Sequence, residues 1–289
     1  AQGKKVIGVL PYYAPEELVY AAGMVPMGIW GSNNKTISRA KEYCATFYCT
    51  IAQLALEMLL DGTMDDLDGI ITPTICDTLR PMSQNIRVAM SEKLPCIFLA
   101  HPQNRFADWG KQFCLDQYNN VKAGLEKIAG HEIKSEDIAA AIKVYNKSRA
   151  ARREFVKLAS DHCDVIDPIM RSAVLKAAWF MDKAEYTEKL EALNAELKAL
   201  PAAKWNGVKV VTSGIICDGA KPSCAAKIAA AVDAGLMGYY MYTTGSHQFV
   251  DGEGIIKKGV ENTIDNVGRL AREGMRRTDE EILHIMVGQ

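Results

Sequence analysis

A chain of 289 residues, 48% hydrophobic and 24% charged, carries enough apolar material for one large domain or two ordinary ones. A formal net charge of −1, with no basic stripe and no interleaving of basic and aromatic residues, argues against a nucleic-acid-binding protein. No apolar run reaches the roughly 20 residues that cross a bilayer, and AQGKKVIGVL lacks a secretory layout, so the expectation is a soluble cytoplasmic protein without nucleic-acid or membrane partners.

In chain order, Lys5 to Leu10 reads as a strand and Pro15 to Ala22 as a helix closed by Gly23. Val25 to Trp30 reads as a second strand running into the loop Gly31-Ser32-Asn33-Asn34. A long helix is expected from Ser38 to Leu60, stopped by Gly62, then a short apolar strand from Gly69 to Thr72. A helix from Asp77 to Glu92 and a strand from Pro95 to Leu99 complete an alternating pattern, which implies crossover connections and a mainly parallel sheet covered on both faces. The fold class is therefore α/β and Rossmann-like. Residues 106–200 read as a long helical insertion: Trp109, Phe113, Tyr118, Val121, Leu125 and Ile128 fall at helical spacing, and Ile138, Ile142 and Tyr145 continue the pattern. The charge runs in KSRAARREFVK and DKAEYTEKLEALNAELKAL read as solvated helix faces. Val208 to Thr212 returns as a strand, which places a first domain at 1–212. Residues 213–289 form an Ala- and Gly-rich helical segment in which Thr278 and Glu281 make a capping box.

Eight cysteines in a reducing compartment point to metal or catalytic roles rather than to a disulfide framework. Burial statistics make Cys44, Cys49, Cys96 and Cys163 buried apolar residues. Cys76 stands apart. It lies beyond the carboxyl end of the strand Gly69 to Thr72 and just before a helix, where ligands of parallel sheets bind. The positive end of a helix there favours the thiolate, the form that ligates metal. Cys224 follows Ser223, a capping residue, and Cys217 precedes it across a Gly-Pro loop, a spacing compatible with a shared metal. Cys114 lies next to the apolar face of its helix, and position alone makes it core. His101 follows the strand Pro95 to Leu99 on the edge that carries Cys76, while His247 reads as a loop residue. Thiolates favour iron–sulfur clusters or zinc, and no Walker loop, nucleophile elbow or HExxH occurs to suggest otherwise.

The stretches PEELVYAAGMVPMGIWG, GIITPTICDTLRPMSQN, FLAHPQNR, QFCLDQYNNVK and VYNKSRAARREF carry a specific resemblance. Residues 3 to about 216 closely resemble the β subunits of the ATP-activated 2-hydroxyacyl-CoA dehydratases, the group that includes 2-hydroxyisocaproyl-CoA dehydratase. The resemblance implies that Cys76 and Cys114 are two of three cysteines that hold a [4Fe–4S] cluster. CDGAKPSCAAKI and GVENTIDNVGRLAREGMRRTDEEIL instead resemble the carboxyl-terminal part of the iron–sulfur serine dehydratase α-chain-like family, which includes cysteine desulfidases. There Cys217 and Cys224 look like cluster ligands. The two resemblances meet at Gly214-Ile215-Ile216-Cys217-Asp218, so the chain reads as a junction of two families, and neither family's ligand set is complete in it.

The first resemblance implies a hydro-lyase subunit that works with an α subunit, an ATP-dependent activator protein and an acyl-CoA substrate. Removing water from an (R)-2-hydroxyacyl-CoA means breaking an unacidified β C–H bond, for which ordinary acid–base catalysis is inadequate. The family answer is one-electron reduction to a ketyl radical anion. Asp77, Arg80 and His101 are then candidates for contacts around the cluster, and Ser32 and Asn33 for the acyl-CoA. The alternatives are an iron–sulfur lyase acting on serine or cysteine, with iron as Lewis acid, and an inactive chimeric scaffold.

Overall fold

In the computed structural model, the described residues are 3–10, 13–29, 35–74, 76–104 and 106–201. The expected strand at Val208 to Thr212 and the segment 213–289 lie outside them. Short β-branched and apolar runs form the strands β1 (Val6–Val9), β2 (Val25–Gly28), β3 (Gly69–Pro73) and β4 (Cys96–Leu99). All pairs are parallel, in the order β2-β1-β3-β4. The helices α1 (Glu16–Ala21), α2 (Thr50–Leu60), α3 (Leu79–Met90) and α4 (Asp108–Ala129) alternate with them. The α/β expectation and the covered parallel sheet are both met.

The pleat of β3 explains how both faces are filled, because adjacent side chains point to opposite sides. Ile70 belongs to a cluster with Ala52, Leu56 and Leu59 of α2 and with Met82 and Ile86 of α3. Ile71 belongs to a second cluster with Val19 of α1 and with Val121 and Leu125 of α4. The chain leaves β1 toward β2 on one side and later returns past it to β3 and β4. The loops after β1 and β3 therefore diverge to opposite faces, and that divergence opens the crevice in which parallel sheets bind ligands.

The single long helix expected from Ser38 to Leu60 is replaced by a 3₁₀ turn, Arg39–Glu42, and the separate helix α2. The cause is Glu57, a carboxylate on α2 that is only 3% exposed. Its Oε2 accepts the N–H of Ser38 at 3.0 Å and of Ala40 at 2.8 Å. Its Oε1 accepts the Ser38 hydroxyl at 2.9 Å and the Arg39 N–H at 3.3 Å. Four donors converge on one carboxylate and fold the 38–40 segment back onto α2. Burial alone would raise the pKa of Glu57, but these bonds, led by Ala40 and Ser38, hold it below the ordinary carboxylate range.

Glu57→Gln sets an amide NH₂ against N–H donors and is expected to cost about 1–3 kcal/mol in urea unfolding. The sign of the pH effect follows from the depressed folded value. The stabilisation is complete above the unfolded carboxylate value near about 4.3 and is lost as pH falls through the folded one. The variant should lack that part of the wild-type acid sensitivity. Equal unfolding curves for the two proteins would remove the carboxylate from this role.

The helical insertion is present as α4 and then α5 (Ser135–Asp161), α6 (Pro168–Ala177) and α7 (Lys183–Ala199). Gly130, at φ 82°, ends α4 in the left-handed conformation that glycine adopts without strain. Asn194 of α7 donates to the Ala151 carbonyl of α5 at 2.9 Å, and Lys147 pairs with Glu191 at 2.8 Å. The turn before α7 caps the sheet edge, where Gly28 N–H donates to the Trp179 carbonyl at 2.9 Å. Residues 156–175 and 197–201 group apart from this body. Among the described residues no helix is long and apolar enough to cross a membrane.

Candidate functional site

β3 carries the chain to the carboxyl edge of the sheet, where Thr74 N–H adds one more bond to the Leu99 carbonyl at 2.9 Å. Cys76 follows as an exposed free thiol. Its carbonyl accepts the N–H groups of Leu79 at 3.1 Å and Arg80 at 3.2 Å, so the residue opens the first turn of the 12-residue helix α3. A thiolate there meets the positive end of the helix dipole. Asp77 and Arg80 are exposed beside it. Cys76 thus stands where the sequence placed it, by the β1/β3 crevice.

The other described cysteines differ. Cys44 is buried, and Cys49, Cys96 and Cys163 are half-buried, so the expectation of full burial holds for Cys44 alone. Burial pushes the thiols of Cys44 and Cys96 up, which disfavours the ligating thiolate. Cys114 is half-buried on α4 rather than in the core. The apolar stripe of α4 also divides: Val121 and Leu125 are buried, whereas Trp109 and Phe113 are exposed. The stripe leaves the sheet near the end at which α4 begins, and Cys114 sits in that part. Phe106, 92% exposed, precedes it. Asn104 Oδ1 accepts the N–H of Phe106 at 3.0 Å and of Ala107 at 3.3 Å, an Asx turn that launches α4.

His101 lies among these elements. Its backbone N–H donates to Thr74 Oγ1 at 2.7 Å. Its Nε2 is 3.2 Å from the Tyr13 carbonyl, and its ring meets Tyr13 and Tyr118 edge-on at 5.7 and 6.3 Å. Sequence reasoning found His101 but not Tyr13, Thr74 or Tyr118.

Cys217, Cys224, His247, Ser32 and Asn33 lie outside the described residues. Among the described residues no group of three or more His, Cys, Asp or Glu side chains converges as a metal site. The donor chemistry on this edge nonetheless suits an iron–sulfur group: free thiols, one of them exposed at a helix amino end.

The family model for 2-hydroxyglutaryl-CoA dehydratase, D-component, matches residues 11–277. The chain belongs to this D-component family. Among similar D-component relatives is the β subunit of (R)-2-hydroxyglutaryl-CoA dehydratase from Acidaminococcus fermentans, 69% identical over 216 residues, 75% of this chain and 57% of that protein. The lactoyl-CoA dehydratase β subunit of Anaerotignum propionicum is 43% identical over the same length, again 75% of this chain and 57% of the relative. The chain thus spans 57% of the length of these relatives. The carboxyl-terminal tail matches a different group, represented by a UPF0597 protein of Desulfitobacterium hafniense, 62% identical over 79 residues, 27% of this chain and 18% of that protein. The junction read from sequence is therefore present in the matches as well.

Proposed function

We propose that this D-component chain serves as the β-type subunit of a 2-hydroxyacyl-CoA dehydratase. It would remove water from an (R)-2-hydroxyacyl-CoA together with an α subunit and an ATP-dependent activator. The observation that carries this reading is the exposed Cys76 thiol at the β1/β3 crevice and the head of α3, in a chain 69% identical over 216 residues to a relative with that activity in its name. Cys76 and Cys114 would hold a [4Fe–4S] cluster. When bound, such a cluster supplies a one-electron redox centre whose potential follows its charge, hydrogen bonds and exposure.

The chain's own residues supply position and surroundings. Cys76 stands at the amino-terminal turn of α3, where its carbonyl accepts the Leu79 and Arg80 N–H groups. Asp77 and Arg80 flank it with one charge of each sign, and the exposed aromatics Trp109 and Phe113 offer apolar surface next to Cys114. An electron from the activator, added to the thioester carbonyl, would give a ketyl radical anion that expels the 2-hydroxyl group. The enoxy radical left behind would have an acidic β-proton, and after its loss the electron would be returned as the enoyl-CoA forms.

The test is anaerobic assembly of this chain with an α subunit, the activator and ATP, followed by assay of water loss from (R)-2-hydroxyglutaryl-CoA. Wild-type chain is expected to support turnover, and Cys76→Ala and Cys114→Ala are expected to fall to background with unchanged circular dichroism. Full turnover by Cys76→Ala would refute the assignment. Ammonia release from free serine or cysteine, without CoA or ATP, would favour the lyase suggested by the resemblance of the tail.

A further inference from the structure

His101 joins the elements that frame Cys76 and Cys114. Its backbone N–H holds Thr74, two residues ahead of Cys76. Its ring packs edge-on against Tyr118, which lies one helical turn beyond Cys114 on the same side of α4. The preceding residue, Ala100, donates to Gln117 Oε1 on α4 at 3.3 Å. The third tie runs to the loop after β1. A carbonyl oxygen only accepts, so Nε2 carries the proton in its 3.2 Å contact with the Tyr13 carbonyl.

Tyr13 makes that contact informative. Its φ is 61°, in the left-handed region, and its side chain is 56% exposed. For a bulky residue this conformation costs on the order of 1–2 kcal/mol, and it persists only where the surroundings impose it. The His101 Nε2–H bond to the carbonyl of the strained residue is one such restraint, at the crevice into which the β3 loop also opens.

We infer that His101 is a positioning residue, which holds the β1 loop through Tyr13 and so fixes the surroundings of Cys76 and Cys114. The inference rests on the proposed reading of these two cysteines as thiolate ligands. Groups that orient ligands from outside the coordination shell change metal retention without touching the metal. The carbonyl bond, rather than the ring contact, is the operative part.

Two variants separate these contributions. His101→Phe keeps an aromatic ring and removes the donor, while His101→Gln keeps an N–H donor near the Nε2 position and removes the ring. Each is purified anaerobically, and loss of iron to a chelator, the electron paramagnetic resonance spectrum of the reduced protein and Tm are recorded. His101→Phe is expected to lose iron about ten-fold faster than wild type with an altered spectrum, at nearly unchanged Tm. His101→Gln is expected to return both readouts toward wild type. A His101→Phe protein with wild-type retention and spectrum would overturn the inference. Equal iron loss in both variants together with a lowered Tm would also overturn it, because that pattern marks a general packing role. Wild-type protein that holds no iron would instead overturn the ligand reading beneath it.

Discussion

Lys183→Met is expected to lower unfolding stability by about 3 kcal/mol or more, the largest effect foreseen for a residue remote from the cysteines. The Lys183 side chain is 5% exposed and its partner Glu16 15%, with Nζ and Oε2 3.0 Å apart. Lys183 also donates to the Ala178 carbonyl at 2.6 Å and lies over the rings of Tyr145 at 4.9 Å and Trp179 at 5.9 Å. The Tyr145 hydroxyl donates to the same Glu16 oxygen at 3.3 Å. One ammonium therefore ties α1, α5 and α7 together. Burial pushes that ammonium down, and Glu16 opposes the shift without cancelling it, so the charged form of Lys183 is disfavoured by its burial. The cost of the mutation comes from stranding Glu16, not from losing a strongly favourable pair.

That distinction is testable. The double variant Glu16→Gln, Lys183→Met removes both charges and is expected to recover much of the loss in urea unfolding. A single variant within about 0.5 kcal/mol of wild type would mean that the pair behaves like an exposed one.

Local pattern carried much of this architecture, and long-range pairing accounts for what it missed. The run GIITPTICD announces a buried strand, a stop and a helix start, so both the strand and the place of Cys76 were legible. Residues 38–49 were not, because helical spacing near Ser38 is overruled by Glu57, which captures backbone donors 17 to 19 residues away. The α4 stripe misled differently. Periodicity reports that one side of a helix is apolar, but not how far the sheet beneath it extends, so Trp109 and Phe113 look like core and stand exposed. His101 could be placed on the correct edge from its strand alone. Its partners Tyr13, Thr74 and Tyr118 come from three separate elements and carry no shared local signal. The Lys183–Glu16 pair was invisible for the same reason.

The second large effect concerns Cys76. Among the described residues it is the exposed cysteine and stands at the head of a helix, whereas burial raises the thiols of Cys44 and Cys96. Under the proposed assignment, Cys76→Ala would deprive the iron–sulfur group of a thiolate that water cannot replace, so the loss should be close to complete rather than graded. Fold stability should scarcely change, since an exposed side chain contributes little packing.

Iron and acid-labile sulfide measured on anaerobically purified protein, wild type beside Cys76→Ala, test this account most directly. Cluster ligation by Cys76 predicts a brown wild-type protein containing iron and sulfide in equal amounts, and a Cys76→Ala protein that melts normally and has lost both. A colourless, iron-free wild type, or a Cys76→Ala protein with unchanged iron, would contradict it.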